Sequence, residues 1–348
     1  MDIVGLDVGF GFTKILKGRE RCVFKSVYGD ATEVQYRENV LGDTAKVDHL
    51  HLEMEEGDFF VGELAERQSV DRFFTLDQND FVARFVKILA LAGLSTMVER
   101  NEPVRMVTGL PVSQFNRHKK RIARILTDAH DFTVVDPDET RRDTVIRIQD
   151  ARVVPQPFGT VLDLMLNDIG EVTDTRFLNQ KFGIIDVGFR TCDFTISDKA
   201  HYSERGSATT DYGISRAFKS IASKIDQSTG VQIELYRLYD AVDRGSIKIR
   251  GREIDISPLV NAAFTQLAKV IANEVNRLWA DDWDLDEIIL TGGGGKVLAP
   301  YLAPQVLGEV RAVDAGSDLR FNNVRGYHKY AMRLWSRGQR LVSEAKSA

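Results

Sequence analysis

The tetrapeptide Asp-Val-Gly-Phe occurs twice, at residues 7–10 and 186–189. Each copy ends an apolar, strand-like run: Ile3-Val4-Gly5-Leu6 before the first, Phe182-Gly183-Ile184-Ile185 before the second. Each is followed by another short β-like run, residues 12–16 and 191–196. Four repeated letters carry little in a chain of 348 residues. A repeated strand, acid, glycine turn and strand, half a chain apart, carries more. It points to two related half-molecules, each offering one hairpin to a shared site.

The length accommodates two domains of ordinary size. Hydrophobic residues make up 43% and charged residues 28%, the balance of a soluble globular protein. No apolar run is long enough to span a bilayer. No basic stretch followed by an apolar one opens the chain, so no signal peptide is expected. Neither end reads as an amphipathic membrane anchor. Cys22 and Cys192 are far apart inside strand-like runs and read as buried, reduced thiols of a cytoplasmic protein. The net charge of −5 argues against broad nucleic-acid binding. The basic run Arg117-His118-Lys119-Lys120-Arg121 reads as the solvated face of a helix.

Strand-like and helix-like segments alternate throughout, the pattern of an α/β protein. Phe81, Val82, Phe85, Ile88, Leu89 and Ala92 share one helical face. Val104-Arg105-Met106-Val107 is a strand, after which Ser113 caps a helix to about Asp128. Ser257-Pro258 reads as an N-cap followed by a first-turn proline, opening a long helix whose apolar stripe includes Val260, Leu267, Ile271 and Val275. Residues 247–249 and 254–256 flank Arg250-Gly251-Arg252-Glu253 as a hairpin. The strand Glu287-Ile288-Ile289-Leu290 runs into Thr291 and four glycines, Gly292 to Gly295. Residues 326–342 read as a final helix that returns to the first domain. No low-complexity linker separates the halves, so the boundary is placed near residues 155–160. One domain is then 1–158 with 325–348, the other 159–324.

A glycine turn between strands lets backbone N–H groups approach a phosphate. Gly9, Gly11, Thr13 and Lys14 are the candidates in the first copy; Gly188, Arg190 and Thr191 are those in the second. Asp7 and Asp186 end their strands beside these turns and suit Mg²⁺ held through its own waters. The glycines Gly292, Gly293 and Gly294 let backbone lie flat against a large ligand such as adenosine. Neither turn matches the phosphate-binding lysine loop or the dinucleotide fingerprint. Gln156 stands between Pro155 and Pro157, which fix its backbone; so held, it can orient a water for attack on a γ-phosphate. His49 and His51 have no evident third ligand, so no metal site is expected there. No Ser/His/Asp or Cys/His set is supported by spacing.

Taken together, these residues resemble the actin-like ATPases. Asp7–Lys14 is similar to that superfamily's first phosphate motif, residues 184–193 to its second, and residues 291–295 to its adenosine motif. Residues 155–160 and 322–327 look like its two connecting segments. Within the superfamily, Phe60-Val61-Gly62-Glu63-Leu64-Ala65, Val107-Thr108-Gly109-Leu110-Pro111-Val112 and Asn323-Val324-Arg325-Gly326-Tyr327 resemble the ParM/StbA group of prokaryotic filament proteins.

The resemblance implies a duplicated two-domain actin-like fold around an interdomain cleft for ATP and Mg²⁺. It implies assembly into filaments whose lifetime follows ATP hydrolysis, and a role in plasmid segregation through a separate DNA-binding adaptor. By the same resemblance Asp7 and Asp186 hold hydrated Mg²⁺, and Asp186 helps polarise the attacking water. Asp211 reaches the ribose, and adenine lies near residues 237–240. Gln156 stands where ParM has glutamate and actin glutamine; an amide orients water but takes no proton from it. Two other classes share the fold. A sugar-type kinase needs a carboxylate base facing the γ-phosphate, which Gln156 is not. A non-polymerising scaffold has no need of Asp7, Lys14 and Asp186 for handling nucleotide.

Overall fold

A computed structural model describes residues 1–32, 45–73, 81–99, 101–313 and 318–347. They form two units, Met1–Thr175 with Phe321–Ala348, and Arg176–Arg320.

The first unit is built on the apolar run that opens the chain. Strand β1 (Asp2–Val8) pairs antiparallel with β2 (Phe12–Lys17), and β2 pairs with β3 (Glu20–Lys25). Next come β4 (Tyr28–Asp30), β5 (Leu50–Met54), β6 (Gly57–Val61) and β7 (Arg72–Phe73). The strands β8 (Pro103–Leu110), β9 (Asp128–Val135) and β10 (Arg141–Pro155) complete the set. Among the described residues they form one ten-stranded sheet in the order β3-β2-β1-β8-β10-β9-β5-β6-β4-β7. β1 is parallel to β8, and β8 to β10. Val4 and Leu6 are fully buried, as expected of a central strand covered on both faces.

Helices supply the cover. They are α1 (Glu63–Gln68), α2 (Phe81–Leu94), α3 (Val112–Leu126) and α4 (Phe158–Met165), with the C-terminal helix Asn322–Ser347. α2 buries Phe85, Ile88, Leu89 and Ala92 as its spacing predicts; the side chains of Phe81 and Val82 lie outside the described residues. The C-terminal helix lies on β1 and β8. Its approach is close. A Cβ on Gly5 would stand 2.4 Å from the Val324 carbonyl oxygen, and one on Gly326 only 1.8 Å from the Gly159 carbonyl oxygen. The helix starts at Asn322 rather than Gly326, and its side chains from residue 337 onward lie outside the described residues.

The helix α4, expected in the second domain, packs on the C-terminal helix within the first unit. The buried Asp163 carboxylate takes Arg325 Nε at 3.0 Å and Lys329 Nζ at 2.7 Å, tying the two helices together. The chain therefore reaches Thr175 before the second unit begins.

Two expected caps are misplaced. α3 begins at Val112, straight after Pro111, with no side-chain cap, so Ser113 lies inside it. It ends at Leu126, and Asp128 already opens β9. Along α3, Arg117, Lys120 and Arg121 are exposed as expected, but His118 is buried.

In the second unit β11 (Lys181–Val187) pairs antiparallel with β12 (Cys192–Asp198), which pairs with β13 (His201–Thr210). The hairpin of β14 (Ser246–Ile249) and β15 (Arg252–Asp255) forms where the sequence places it. β16 (Glu287–Thr291) runs parallel to β11, and β17 (Val310–Ala312) parallel to β16. The order is β13-β12-β11-β16-β17. This repeats the arrangement β3-β2-β1-β8 of the first unit, strand directions included, so the doubled motif reflects doubled architecture.

The helices of this unit are α5 (Ser215–Thr229), α6 (Leu238–Arg244), α7 (Ser257–Leu278) and α8 (Gly295–Leu302). In α7 the buried stripe is Val260, Ala263, Leu267, Ile271 and Val275. Its cap is Ile256, one residue earlier than expected, while the Asp255 carboxylate accepts the Ser257 N–H at 2.9 Å. Cys22 and Cys192 are free and buried. Burial pushes the Cys192 thiol up, and the Asp193 and Asp186 carboxylates add to the effect, so it is a poor nucleophile. No described helix is long and apolar enough to cross a membrane.

Two predictions follow from this packing. Alanine favours helix over glycine by about 1 kcal/mol, but overpacking against backbone costs roughly 1–3 kcal/mol. Gly326→Ala is therefore net destabilising, measured as a lower urea midpoint at unchanged slope. The second concerns His328, whose buried Nε2 accepts the Gly18 N–H at 3.1 Å. Burial holds its pKa below the ordinary 6.5, so the unfolded chain binds the proton more readily. Its contribution is fully present above the unfolded value near 6.5 and is lost as pH falls from there through the lowered native value. His328→Gln keeps an acceptor but does not titrate; its urea midpoint falls less than the wild type's between about pH 7.5 and 5.5.

Candidate functional site: two strand-turn loops ending in buried carboxylates

In the first loop the Gly9 N–H closes the turn onto the Phe12 carbonyl at 3.2 Å, and the Gly11 carbonyl accepts the Ser26 N–H at 3.0 Å. The register sets Asp7 opposite Lys14 and Val8 opposite Thr13. Side chains alternate faces along a strand, so Lys14 joins Asp7 while Thr13 points the other way. Lys14 Nζ lies 2.8 Å from Asp7 Oδ2. Thr13 is fully buried, and its hydroxyl shares a 2.9 Å hydrogen bond with Ser26. Its side chain is thus taken up in the core rather than offered to a ligand, a correction to its place among the phosphate-binding candidates.

Gln156 reaches the same carboxylate from 149 residues away: its Nε2 donates to Asp7 Oδ1 at 2.9 Å. Its backbone is held on both sides. The N–H donates to the Leu110 carbonyl at 2.7 Å, and the carbonyl accepts the Tyr327 hydroxyl at 3.0 Å. Pro155 ends β10 and Pro157 leads into α4, the rigid frame its neighbours imply. Asp7, 2% exposed, is therefore grasped by a cation and an amide at once.

In the second loop the Gly188 N–H donates to the Thr191 carbonyl at 2.9 Å. Here the residue opposite the strand-end acid is not a lysine: Asp186 faces Asp193. Both are buried. Asp193 accepts the Thr191 hydroxyl at 3.1 Å and also that of Thr209. The glycine loop after β16 packs onto this turn. Gly292 has φ +88, and a Cβ there would stand 2.2 Å from Asp186 Oδ1. The Gly294 N–H donates to the Val187 carbonyl at 2.8 Å. Around Gly293 the nearest atom to such a Cβ is Arg320 Cγ at 3.6 Å, leaving an open backbone face. Phe189 at the turn stacks on Tyr239 of α6, ring centroids 5.4 Å apart. Arg190 is half-buried.

Asp211 lies exposed on the bend after β13, and Arg237 and Asp240 are exposed at α6. Thr209 and Tyr327 were not legible as site residues. Thr209 enters by pairing register across from Asp193, and Tyr327 by docking of a helix distant in sequence.

The donors are hard oxygens, which fit Mg²⁺. Among the described residues no three His, Cys, Asp or Glu side chains gather to hold a metal directly. His51, buried edge-on to Phe60, belongs to the core.

Family models agree with this arrangement. Residues 5–159 match the N-terminal domain of actin-like proteins, and residues 184–303 the C-terminal domain of archaeal MreB-like actin homologues. The chain belongs to the actin-like proteins. A 15-stranded ParM filament from Clostridium botulinum matches with TM-score 0.77 at 24% identity, over 95% of this chain and 99% of that one. The archaeal actin homologue Ta0583 in complex with ADP matches with TM-score 0.75 at 21% identity, over 96% and 100%. Bacillus thuringiensis ParM with ADP matches with TM-score 0.72 at 15% identity, over 96% and 99%. No curated relative matches the chain by sequence.

The Asp7–Lys14 pair gives a prediction independent of ligand. Removing one partner of a buried pair strands the other charge and costs roughly 3 kcal/mol. Lys14→Met lowers stability by about that amount, and Asp7→Asn added to it restores part of the loss, as read in a double-mutant cycle of urea unfolding.

Proposed function

We propose that this actin-like protein binds ATP with Mg²⁺, polymerises on binding it, and hydrolyses it to set filament lifetime. Its role is to position cargo in the cytoplasm, a plasmid held through a DNA-binding adaptor, with no direct hold on nucleic acid or membrane. The observation that carries the reading is Gln156 anchored on Asp7 beside Lys14, at the end of a strand-turn-strand loop.

Each part has work suited to it. The turns at Gly9, Gly11 and Gly188 offer phosphate oxygens the backbone N–H groups left over once those of Gly9 and Gly188 have closed the hairpins, without a side chain intervening. Lys14 exchanges its hold on Asp7 for a phosphate oxygen; Arg190 and Thr191 add donors from the second unit. Mg²⁺, when bound beside Asp7 and Asp186, supplies neutralisation of the developing phosphate charge. With Nε2 committed to Asp7, the Gln156 amide oxygen is left to accept a hydrogen bond from the attacking water and aim it. The amide cannot take the proton, so Asp186 serves as the carboxylate that polarises that water. Gly292, Gly293 and Gly294 accept the adenosine, with Asp211 at the ribose and residues 237–240 near the base. The sugar-kinase reading lacks its carboxylate base at Gln156, and sugar-stimulated ADP release would be its signature.

Sedimentation tests the assignment. Protein pellets with ATP and Mg²⁺ and not with ADP; a strictly monomeric protein at high concentration with ATP overturns it. Asp186→Ala retains nucleotide within a few-fold but hydrolyses it at least about 100-fold more slowly, the usual scale for a lost proton-handling group.

A further inference from the structure

Between α7 and β16 runs Asp281-Asp282-Trp283-Asp284-Leu285-Asp286-Glu287, five acids in seven residues. Trp283 in its middle is 88% exposed, and Leu307, on a turn tied to α7 through Asn276, is 77% exposed. Some of the acids serve the fold. Lys181 and Arg205 hold the buried Asp282, Lys181 also reaches Asp284, and Arg311 pairs with Glu287. Asp286 accepts the Lys181 backbone N–H. Asp281 and Asp286 are exposed and in no ion pair among the described residues.

At the other end of α7 the pattern reverses. The β14–β15 hairpin and the end of α6 carry Arg244, Lys248, Arg250 and Arg252, all exposed and in no ion pair among the described residues. Lys248 stands across from Glu253, which takes the Ser246 hydroxyl, and Asp243 and Asp255 flank the base of the hairpin, so the excess positive charge lies at its tip, in Arg250 and Arg252. α7 has 22 residues, so the two features are rooted about 33 Å apart on one rigid element.

We propose that these are the two faces of one head-to-tail contact: the acidic Trp283 turn of one copy docks on the cationic hairpin of the next. The partner, a second copy of this chain, rests on the filament reading above. Like faces repel, so the contact is not self-complementary. A contact between different faces at opposite ends of one unit leaves a free face of each kind after every addition, so where the rotation does not close a ring it propagates as an open polymer. Arginine over an exposed indole adds a cation–π contact to the charge attraction, and burying Trp283 supplies the apolar anchor.

Two variants test it: Asp281→Asn with Trp283→Ser and Asp286→Asn at the turn, and Arg250→Gln with Arg252→Gln at the hairpin, neutral changes that do not create a charge-reversed contact in the mixture. All are exposed, and thermal unfolding with nucleotide binding confirms that each variant is folded. Alone, each loses ATP-dependent pelleting or raises its critical concentration at least about tenfold, the scale of a lost hot spot. Mixed in equal amounts well above the wild-type critical concentration, they form 1:1 dimers in analytical ultracentrifugation, because each retains one intact face, and no filaments. A variant that pellets like wild type, or a mixture that stays monomeric, overturns the proposal. Failure of the wild type to pellet would instead count against the filament reading, since the mixing experiment needs only a single contact.

Discussion

The Asp7 carboxylate is where the first unit's separate parts meet. It sits at the end of the central strand, takes a lysine from the neighbouring strand on one oxygen and a glutamine from the end of β10 on the other. That glutamine is steadied in turn by Tyr327 on the C-terminal helix. A buried carboxylate left without such partners would be expensive, so the packing of distant segments and the geometry of the loop are mutually required. A ligand that drew Lys14 away would have to return an equal positive charge to Asp7.

Duplication makes the contrast with the second unit informative. The strands pair in the same order and directions, so Lys14 and Asp193 occupy matching positions opposite Asp7 and Asp186. The first loop is internally neutralised; the second sets carboxylate against carboxylate and surrounds Asp193 with hydroxyl donors. A common backbone frame thus carries different electrostatics on its two copies.

Much of this was legible because it is local. The two hairpins follow from apolar runs broken at Gly9 and Gly188, the β14–β15 hairpin from Arg250-Gly251, and α2 and α7 from their helical spacing. Gln156 was legible because prolines on both sides advertise a fixed backbone. The misreadings share another cause. Thr13 sits in a phosphate-like string, yet strand alternation turns it away from Lys14, and only the register decides which face is which. Ser113 and Ser257 looked like caps by residue type, while Pro111 and Asp255 decide where those helices begin. The helix α4 looked as though it followed the domain boundary; the Asp163 pairs with Arg325 and Lys329 hold it with the first unit, and those partners lie more than 160 residues away.

The close approach of the C-terminal helix has a consequence for the site. Gly109 on β8 and Gly159 on α4 have no room for a Cβ because the Tyr327 ring lies against both, and Tyr327 is fully buried. Its hydroxyl fixes the Gln156 carbonyl. The backbone from which the Gln156 side chain reaches Asp7 is thereby steadied by small residues packed around Tyr327. A helix free to shift would let Gln156 wander from Asp7, and an amide that orients water is useful only while its own position is determined.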